Sequence, residues 1–328
     1  MSGTSLATAI QRSLNTRLGV RGRVRALTRT PTLYGSSRTL ERWTVTLDGG
    51  SDLELIAKRL GADGLLGNAA STRPALHFED TREQAAYERV LHGDLPVAQF
   101  VGVIDDADTC WLVTVAVDGS PLSEIGNFAD WEAAAAAAAR FHDEFVGRAD
   151  EMLARAPQLL NRDRAYYESW FDRAIDFNKA APARRGTVAL LRSLRQRVTN
   201  MLARDEVTLV HGELYASNVL VKRQPLRTRD AVAFVDFETI GTGSAALDLA
   251  ALVTGWDLAS RRSMCAAYCA ASRRAADLSL TDLMVLVAGA RAQLAAQWLG
   301  WHESWRPPSV HRRDWAAELQ DAAEGLAA

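Results

Sequence analysis

The stretch His211-Gly212-Glu213-Leu214-Tyr215-Ala216-Ser217-Asn218 constrains this chain more than any other. An apolar run at 208–210 leads into it, and a second at 219–221 leads out. A third apolar run, 231–235, follows the polar residues 222–230. Two short apolar runs around a polar stretch pair as a β-hairpin. Such a hairpin returns Asp236 to the side of Asn218. An amide and a carboxylate then converge at one end of a two-stranded ribbon. Hard divalent cations such as Mg2+ take that kind of all-oxygen site, with water and phosphate completing the shell.

The remainder of the chain divides by character. With 328 residues, 48% apolar and 24% charged, it is long enough for two cores and is not a disordered composition. Extended stretches are expected at 20–30, 40–47, 53–59, 98–104 and 111–117, with Asp48-Gly49-Gly50 as a turn between the second and third. A helix is expected at 81–91 among them. Beyond Asp118-Gly119-Ser120-Pro121 nearly everything reads as helix, beginning with 130–146, where seven alanines follow Glu132 and Asp130 is the candidate N-cap. Strands return only around 207–236. The expected organisation is an α+β, two-lobed fold: residues 1–117 as an antiparallel β-sheet lobe with one key helix, and 118–328 as a mainly helical lobe.

Two nearby signals have ordinary readings. Arg12, Arg17, Arg21, Arg23, Arg25 and Arg29 all precede the first acid, Glu41, as in some organellar leaders. Leu6, Ile10, Leu14 and Leu18 nevertheless recur on one helix face, and Gly19 can end that helix, so a helix at 4–18 is expected. Cys110, Cys265 and Cys269 form no CxxC pair and imply neither a disulfide framework nor a zinc site. The net charge of −2 gives no bulk attraction to nucleic acid or membrane, and no run of about 18 apolar residues exists to span a bilayer. A reducing, cytoplasmic setting is the expectation.

Glu213 precedes Asn218 by five residues, the separation between the carboxylate and the metal-binding Asn in the kinase loop H-R-D-x-x-x-x-N. HGELYASN, then VDFE (235–238), then GTGSAALDLA (241–250) follow one another in order. In these pieces the chain resembles the aminoglycoside phosphotransferase family, related to choline and homoserine kinases and to protein kinases. The resemblance implies a protein-kinase-like fold and transfer of the γ-phosphoryl of Mg·ATP or Mg·GTP to a hydroxyl of a small metabolite, amino sugar or antibiotic. It implies Glu213 as base, Asn218 and Asp236 as Mg2+ ligands, His211 as an anchor of the loop and Asp248 as its support from behind. A fold of this kind needs a strand lysine for the phosphates and a helix glutamate to pair with it. Lys58 ends an apolar strand, and Glu83 is the expected partner, with Glu79 and Glu88 as competitors. The adenine would bond to backbone near Val115 and Val117, and Ser36 and Ser37 beside Gly35 would offer N–H groups to phosphate.

One position departs from the family's pattern, which has Asp where this chain has Glu213. The extra methylene moves the carboxylate by about 1.5 Å, a carbon–carbon bond length, and a misplacement of about 1 Å can cost roughly a hundredfold in rate. The alternative function is therefore a weak or inactive nucleotide-binding pseudokinase acting through protein interactions. Trp298, Trp301 and Trp305 recur at helical spacing, which is core packing by default. They are also candidates for a wall against a sugar ring or an amine. Asp257, Glu303 and Asp314 could add negative charge there, while Arg306, Arg312 and Arg313 argue against a strongly anionic pocket. The acceptor, the choice of ATP or GTP and the oligomeric state are not encoded in any motif.

Overall fold

The computed structural model describes residues 6–32, 38–67, 69–125, 127–225, 231–273, 279–302 and 313–327. The expectations placed on Ser36, Ser37, Glu303, Trp305, Arg306 and Arg312 lie outside the described residues. The chain opens with α1 (Leu6–Ser13), which continues through one wider helical turn, Leu14–Leu18, to Gly19. Then come β1 (Val24–Pro31), β2 (Leu40–Leu47), β3 (Asp52–Arg59), the short α2 (Ala69–Thr72), α3 (Arg82–Arg89), β4 (Phe100–Asp106) and β5 (Thr109–Val115). The five strands make one antiparallel sheet in the order β1-β2-β3-β5-β4.

Period-two alternation decides what each face of that sheet does. Trp43 and Val45, Leu55 and Ala57, and Trp111 and Val113 point to one face and form a core with Ile10 and Leu14. The apolar stripe of the opening helix therefore covers the sheet, each fully buried aliphatic contributing about 1.5–3 kcal/mol. Lys58 falls on the opposite side of β3 from Leu55 and Ala57, the side that faces α3. Leu112, one step out of phase with Trp111 and Val113, accordingly joins the second, larger core.

The helical part carries β6 (Gly119–Pro121), α4 (Phe128–Asp143), α5 (Ala149–Arg155), β7 (Leu160–Asn161), α6 (Arg164–Asn178), α7 (Arg185–Arg204), β8 (Val207–Val210), β9 (Val219–Lys222), β10 (Val232–Phe234), β11 (Gly241–Ser244), α8 (Ala246–Val253), α9 (Leu258–Ala271), α10 (Leu280–Leu299) and α11 (Trp315–Ala327). The hairpin β9–β10 forms as expected, with Val219 opposite Phe234 and Val221 opposite Val232. It is extended by β6 into a three-stranded sheet, and a second small sheet has the order β7-β11-β8. β11 was not foreseen, because Gly-Thr-Gly-Ser has poor strand propensity. Close packing explains it: a Cβ at Gly241 would run into the Leu160 backbone.

The N-cap of α4 is Asn127, not Asp130. Asn127 has extended backbone angles and accepts from the Ala129 N–H at 3.2 Å, whereas Asp130 already lies in the first turn, where its charge complements the helix dipole. Ala134, Ala135, Ala137, Ala138 and Ala139 are buried. Their small side chains let α4 approach its neighbours closely. Among the described residues, no helix is long and apolar enough to cross a membrane.

Candidate active site

Three ion pairs of Lys58 tie β3 to α3 and to the turn after β10. Lys58 Nζ lies 2.7 Å from Glu83 Oε2 and 2.9 Å from Glu238 Oε1, and it also pairs with Asp236. Glu83 wins over its competitors for a geometric reason. It sits in the first turn of α3 facing the sheet, while Glu79 is spent on Thr81 and Glu88 accepts from Gln84 on the helix surface. The other oxygen of Glu83 accepts from the Phe237 N–H at 3.0 Å. Tyr87, one turn on, is buried and stacks on Phe100.

Burial works against the charge on Lys58, but Asp236, Glu238 and Glu83 together hold its ammonium well above the ordinary lysine range. Glu83 is pushed up by burial and by its two acidic neighbours, against the pull of Lys58. Glu238 was quoted in the sequence motif and given no task. It is 8% exposed and takes Arg38 and Arg73 as well as Lys58. Despite burial, Lys58, Arg73 and Arg38 hold its carboxyl far below the usual range. Arg38 reaches on to Asp80 at 2.8 Å, so one guanidinium joins three separate segments.

The catalytic-loop candidate is held from behind by one carboxylate. Asp248, in the first turn of α8 and fully buried, accepts from the N–H groups of His211 (2.7 Å) and Gly212 (2.8 Å). It also meets His142 Nε2 at 3.0 Å, and His142 Nδ1 lies 3.0 Å from the Tyr268 hydroxyl. Burial would raise Asp248, yet the hydrogen bond and charge of His142 and the backbone donors bring it below the ordinary range. His211 Nε2 is 2.9 Å from the Val235 carbonyl, so the anchor expected of His211 is made to the strand that delivers Asp236.

Asn218 and Asp236 come together through the ribbon: the Val235 N–H donates to the Asn218 carbonyl at 3.0 Å. The Asn218 side-chain amide donates to the Glu213 carbonyl at 2.9 Å, which turns its oxygen away from that bond. Asp236 has a φ of +68°, a left-handed conformation that aims its side chain out of the strand direction. Glu213 is half-buried, and burial, then the charges of Asp236 and Glu238, push its carboxyl up to about 7. Lys58, Glu213, Asn218 and Asp236 thus surround one place. The donor set suits a hard cation: Glu83, Asp236 and Glu238 offer oxygens within 4.8 Å of one another.

With this geometry in view, sequence comparison matches the phosphotransferase enzyme family over residues 35–283. The chain belongs to that family. Among solved structures it is similar to the GDP complex of a point mutant of aminoglycoside 2'-phosphotransferase-IIIa, with TM-score 0.56, 13% identity and 96% of each chain covered. It is also similar to macrolide 2'-phosphotransferase type I, with TM-score 0.52, 17% identity, and coverage of 100% of this chain and 99% of the other. At such identities the likeness establishes the kinase-like fold. No curated protein matches the chain by sequence.

The phosphotransferase has a cavity of roughly 250 Å³ beside the last strand of its large sheet, lined by Val97, Val115, Val117, Asp118, Lys222 and Gln224. Val115 and Val117, the residues expected beside the nucleotide base, both line it. The Val115 N–H already donates to the Gln99 carbonyl at 2.8 Å and that of Ala116 to Glu54 at 2.8 Å, because both still belong to the sheet. Val117 has no such partner among the described residues, so it is the member of the pair with a free donor.

Aromatic rings run from the loop into the helical part. Trp298 Nε1 donates to the Tyr215 hydroxyl at 2.6 Å, Trp298 stacks on Trp301 with centroids 5.1 Å apart, and Trp301 is parallel to Trp170. His77 meets the edges of Trp170 and Trp301 and lies 3.1 Å from the Tyr166 hydroxyl. The core-packing reading of the tryptophans holds for one of the two described residues of that series. Trp170 and Trp301 are core, whereas Trp298 is half-exposed beside Tyr215.

Proposed function

We propose that this phosphotransferase is a small-molecule kinase that moves the γ-phosphoryl of Mg·ATP or Mg·GTP to a hydroxyl. The observation that carries this reading is the convergence just described, in which one lysine pair and one amide hydrogen bond gather Lys58, Asp236, Asn218 and Glu213. Glu213 accepts the proton of the attacking hydroxyl. The hydroxyl oxygen forms the new bond to phosphorus, and the bond from phosphorus to the bridging oxygen breaks as the nucleoside diphosphate leaves. A carboxyl near 7 suits that task, since a base works best when its proton affinity matches the medium.

Asp236 and the Asn218 oxygen would hold Mg2+, which supplies charge neutralisation to the phosphates. Lys58 would bond the α- and β-phosphates, with Glu83 keeping its ammonium in place. Val117 would pair with the base. Asp248 and His211 position the loop and touch no reactant. Residues up to about 117 would act as the nucleotide lobe and the rest as the acceptor lobe.

The test is nucleotide consumption with Mg2+ over a panel of alcohols and amino sugars, with the wild type and Glu213→Gln. Turnover should fall at least about a hundredfold in the variant while nucleotide affinity stays within a few-fold, as for loss of one acid–base group. A Gln variant that works at the parent rate would remove Glu213 from the chemistry. Tight Mg·ATP binding with no turnover of any panel member would make the protein a pseudokinase.

A further inference from the structure

The charges on the two flanks of Glu213 have opposite sign. Towards Asp236, three carboxylates gather around Lys58. On the other flank stands Arg162, between β7 and α6 and only 5% exposed. Its Nη2 donates to the Thr239 carbonyl, its Nη1 has no partner, and no carboxylate among the described residues pairs with it. The guanidinium lies against the catalytic loop itself, because a Cβ on Gly212 would collide with Nη2.

A buried guanidinium with an unused donor and no carboxylate in an ion pair with it gains when an anion reaches it. The neighbourhood adds to the surplus. Arg82, 3% exposed, donates to the carbonyls of Gln158, His77 and Glu238, and burial together with Arg162 depresses it to about 10, against the pull of Glu79. The Arg162 guanidinium sits 5.5 Å from the Tyr166 ring centroid, and Tyr166 bonds to His77 in the ring series that ends at Tyr215. Arg162 therefore shares a wall with the half-exposed rings beside the base, apart from the lysine cluster assigned to the nucleotide.

We propose that the acceptor is an anionic alcohol, whose carboxylate or phosphate pairs with Arg162 while its hydroxyl faces Glu213 and its carbon body lies along Tyr166. This rests on the kinase reading above. The hydroxyl oxygen takes the phosphoryl group, its proton passes to Glu213, and the anion on Arg162 is unchanged.

The experiment uses Mg·ATP and four acceptors of similar size: glycerate and glycerol phosphate, neutral glycerol, and cationic choline. The expected result is kcat/KM at least about tenfold higher for the anions than for glycerol, with choline poorest. Arg162→Met should raise the KM of the anionic acceptors by about 10–100-fold, leaving kcat and the nucleotide KM within about threefold, and should abolish the anion preference. Arg162→Lys should restore part of that preference, which a purely structural role would not require. The thermal melt of each variant establishes folding, and the Lys variant carries the test if the Met variant does not fold.

Preference for glycerol or choline, or an anion preference that survives Arg162→Met, would overturn the assignment. So would an effect on the nucleotide KM alone, which would give the guanidinium to the transferred phosphoryl group. If nothing in the panel is phosphorylated and no slow Mg-dependent nucleotide hydrolysis occurs, the kinase reading fails first. Calorimetry with glycerol phosphate on nucleotide-free protein then still decides the anion site: binding lost in Arg162→Met supports it, and no binding to the wild type refutes it.

Discussion

Lys58→Met should destabilise the protein by an amount that depends on pH, and the structure sets both size and sign. Removing Lys58 does not leave its three carboxylates equally stranded. Glu238 keeps Arg38 and Arg73, and Asp236, with a side chain 36% exposed, can rehydrate. Glu83 loses the one cation that pairs with it among the described residues and keeps one N–H donor, from Phe237. A buried carboxylate in that position takes up a proton, so the penalty cannot exceed the cost of protonating it. With an ordinary value of 4.5 for Glu83 and about 1.4 kcal/mol per unit, that ceiling is about 3 kcal/mol at pH 7. In the variant the folded-state carboxyl is raised above its unfolded value. Its contribution is therefore most favourable below pH 4.5 and is lost as pH rises. Urea unfolding at pH 5.5 and 7.5 should give a ΔΔG larger at the higher pH by up to about 3 kcal/mol. Adding Glu83→Gln should reduce the ΔΔG of Lys58→Met to below about 1 kcal/mol and flatten its pH dependence. A pH-independent penalty, or one untouched by Glu83→Gln, would refute the claim that Glu83 is the residue left uncompensated.

Asp248→Asn puts an amide N–H against a backbone N–H, and should cost about 2–4 kcal/mol in urea unfolding together with most of the turnover. Gly212→Ala combines a φ of +87° with a collision against Arg162 and the Thr239 carbonyl. Loss of more than about 2 kcal/mol is expected, and a thermal melt within a few degrees of the parent would contradict it. Burial, then Arg162, Arg82 and Arg73, hold His77 well below the ordinary histidine range of 6.5. Its stabilising neutral state is therefore fully available above that pH and is lost as pH falls below it. Unfolding free energy should decline from pH 6.5 downwards by up to about 1.4 kcal/mol per unit, and His77→Gln should remove that part of the slope. Glu213→Asp should lower kcat, not raise it, as measured at saturating substrates; a faster Asp variant would mean that the longer side chain is not matched to this loop.

The site was legible where spacing along one segment decides geometry. The five-residue interval from Glu213 to Asn218 and the hairpin returning Asp236 are local facts, and the strand ending at Lys58 shows in its alternation. The choice among Glu79, Glu83 and Glu88 was not local, since it depends on which face of α3 meets the sheet. Glu238 lies two residues beyond Asp236, and that spacing was the available signal for it. Nothing in the sequence separates a buried arginine from a solvated one. Arg38 meets Glu238 across 200 residues of chain, and Arg162 is packed against Thr239, Gly212 and the Tyr166 ring, all brought to it by the fold. In the same way the pattern of Trp298 and Trp301 was visible, while the approach of His77 and Trp170 was set by packing between distant elements.

The Glu at 213 is explained better by the rigidity of its loop than by any shift of the backbone. Asp248 fixes the amides of His211 and Gly212 from behind, the Asn218 amide holds the Glu213 carbonyl, and Arg162 blocks the space beside Gly212. A loop tied at three consecutive residues has little freedom to withdraw, so the extra methylene must carry the carboxylate about 1.5 Å further out. There it stands between two influences: Asp236 and Glu238 oppose its charge, while Arg73 and Arg162 favour it. The longer acid and the unpaired guanidinium are then two parts of one arrangement. In the proposed reaction the longer side chain would reach an acceptor that Arg162 holds further from Asn218 and Asp236.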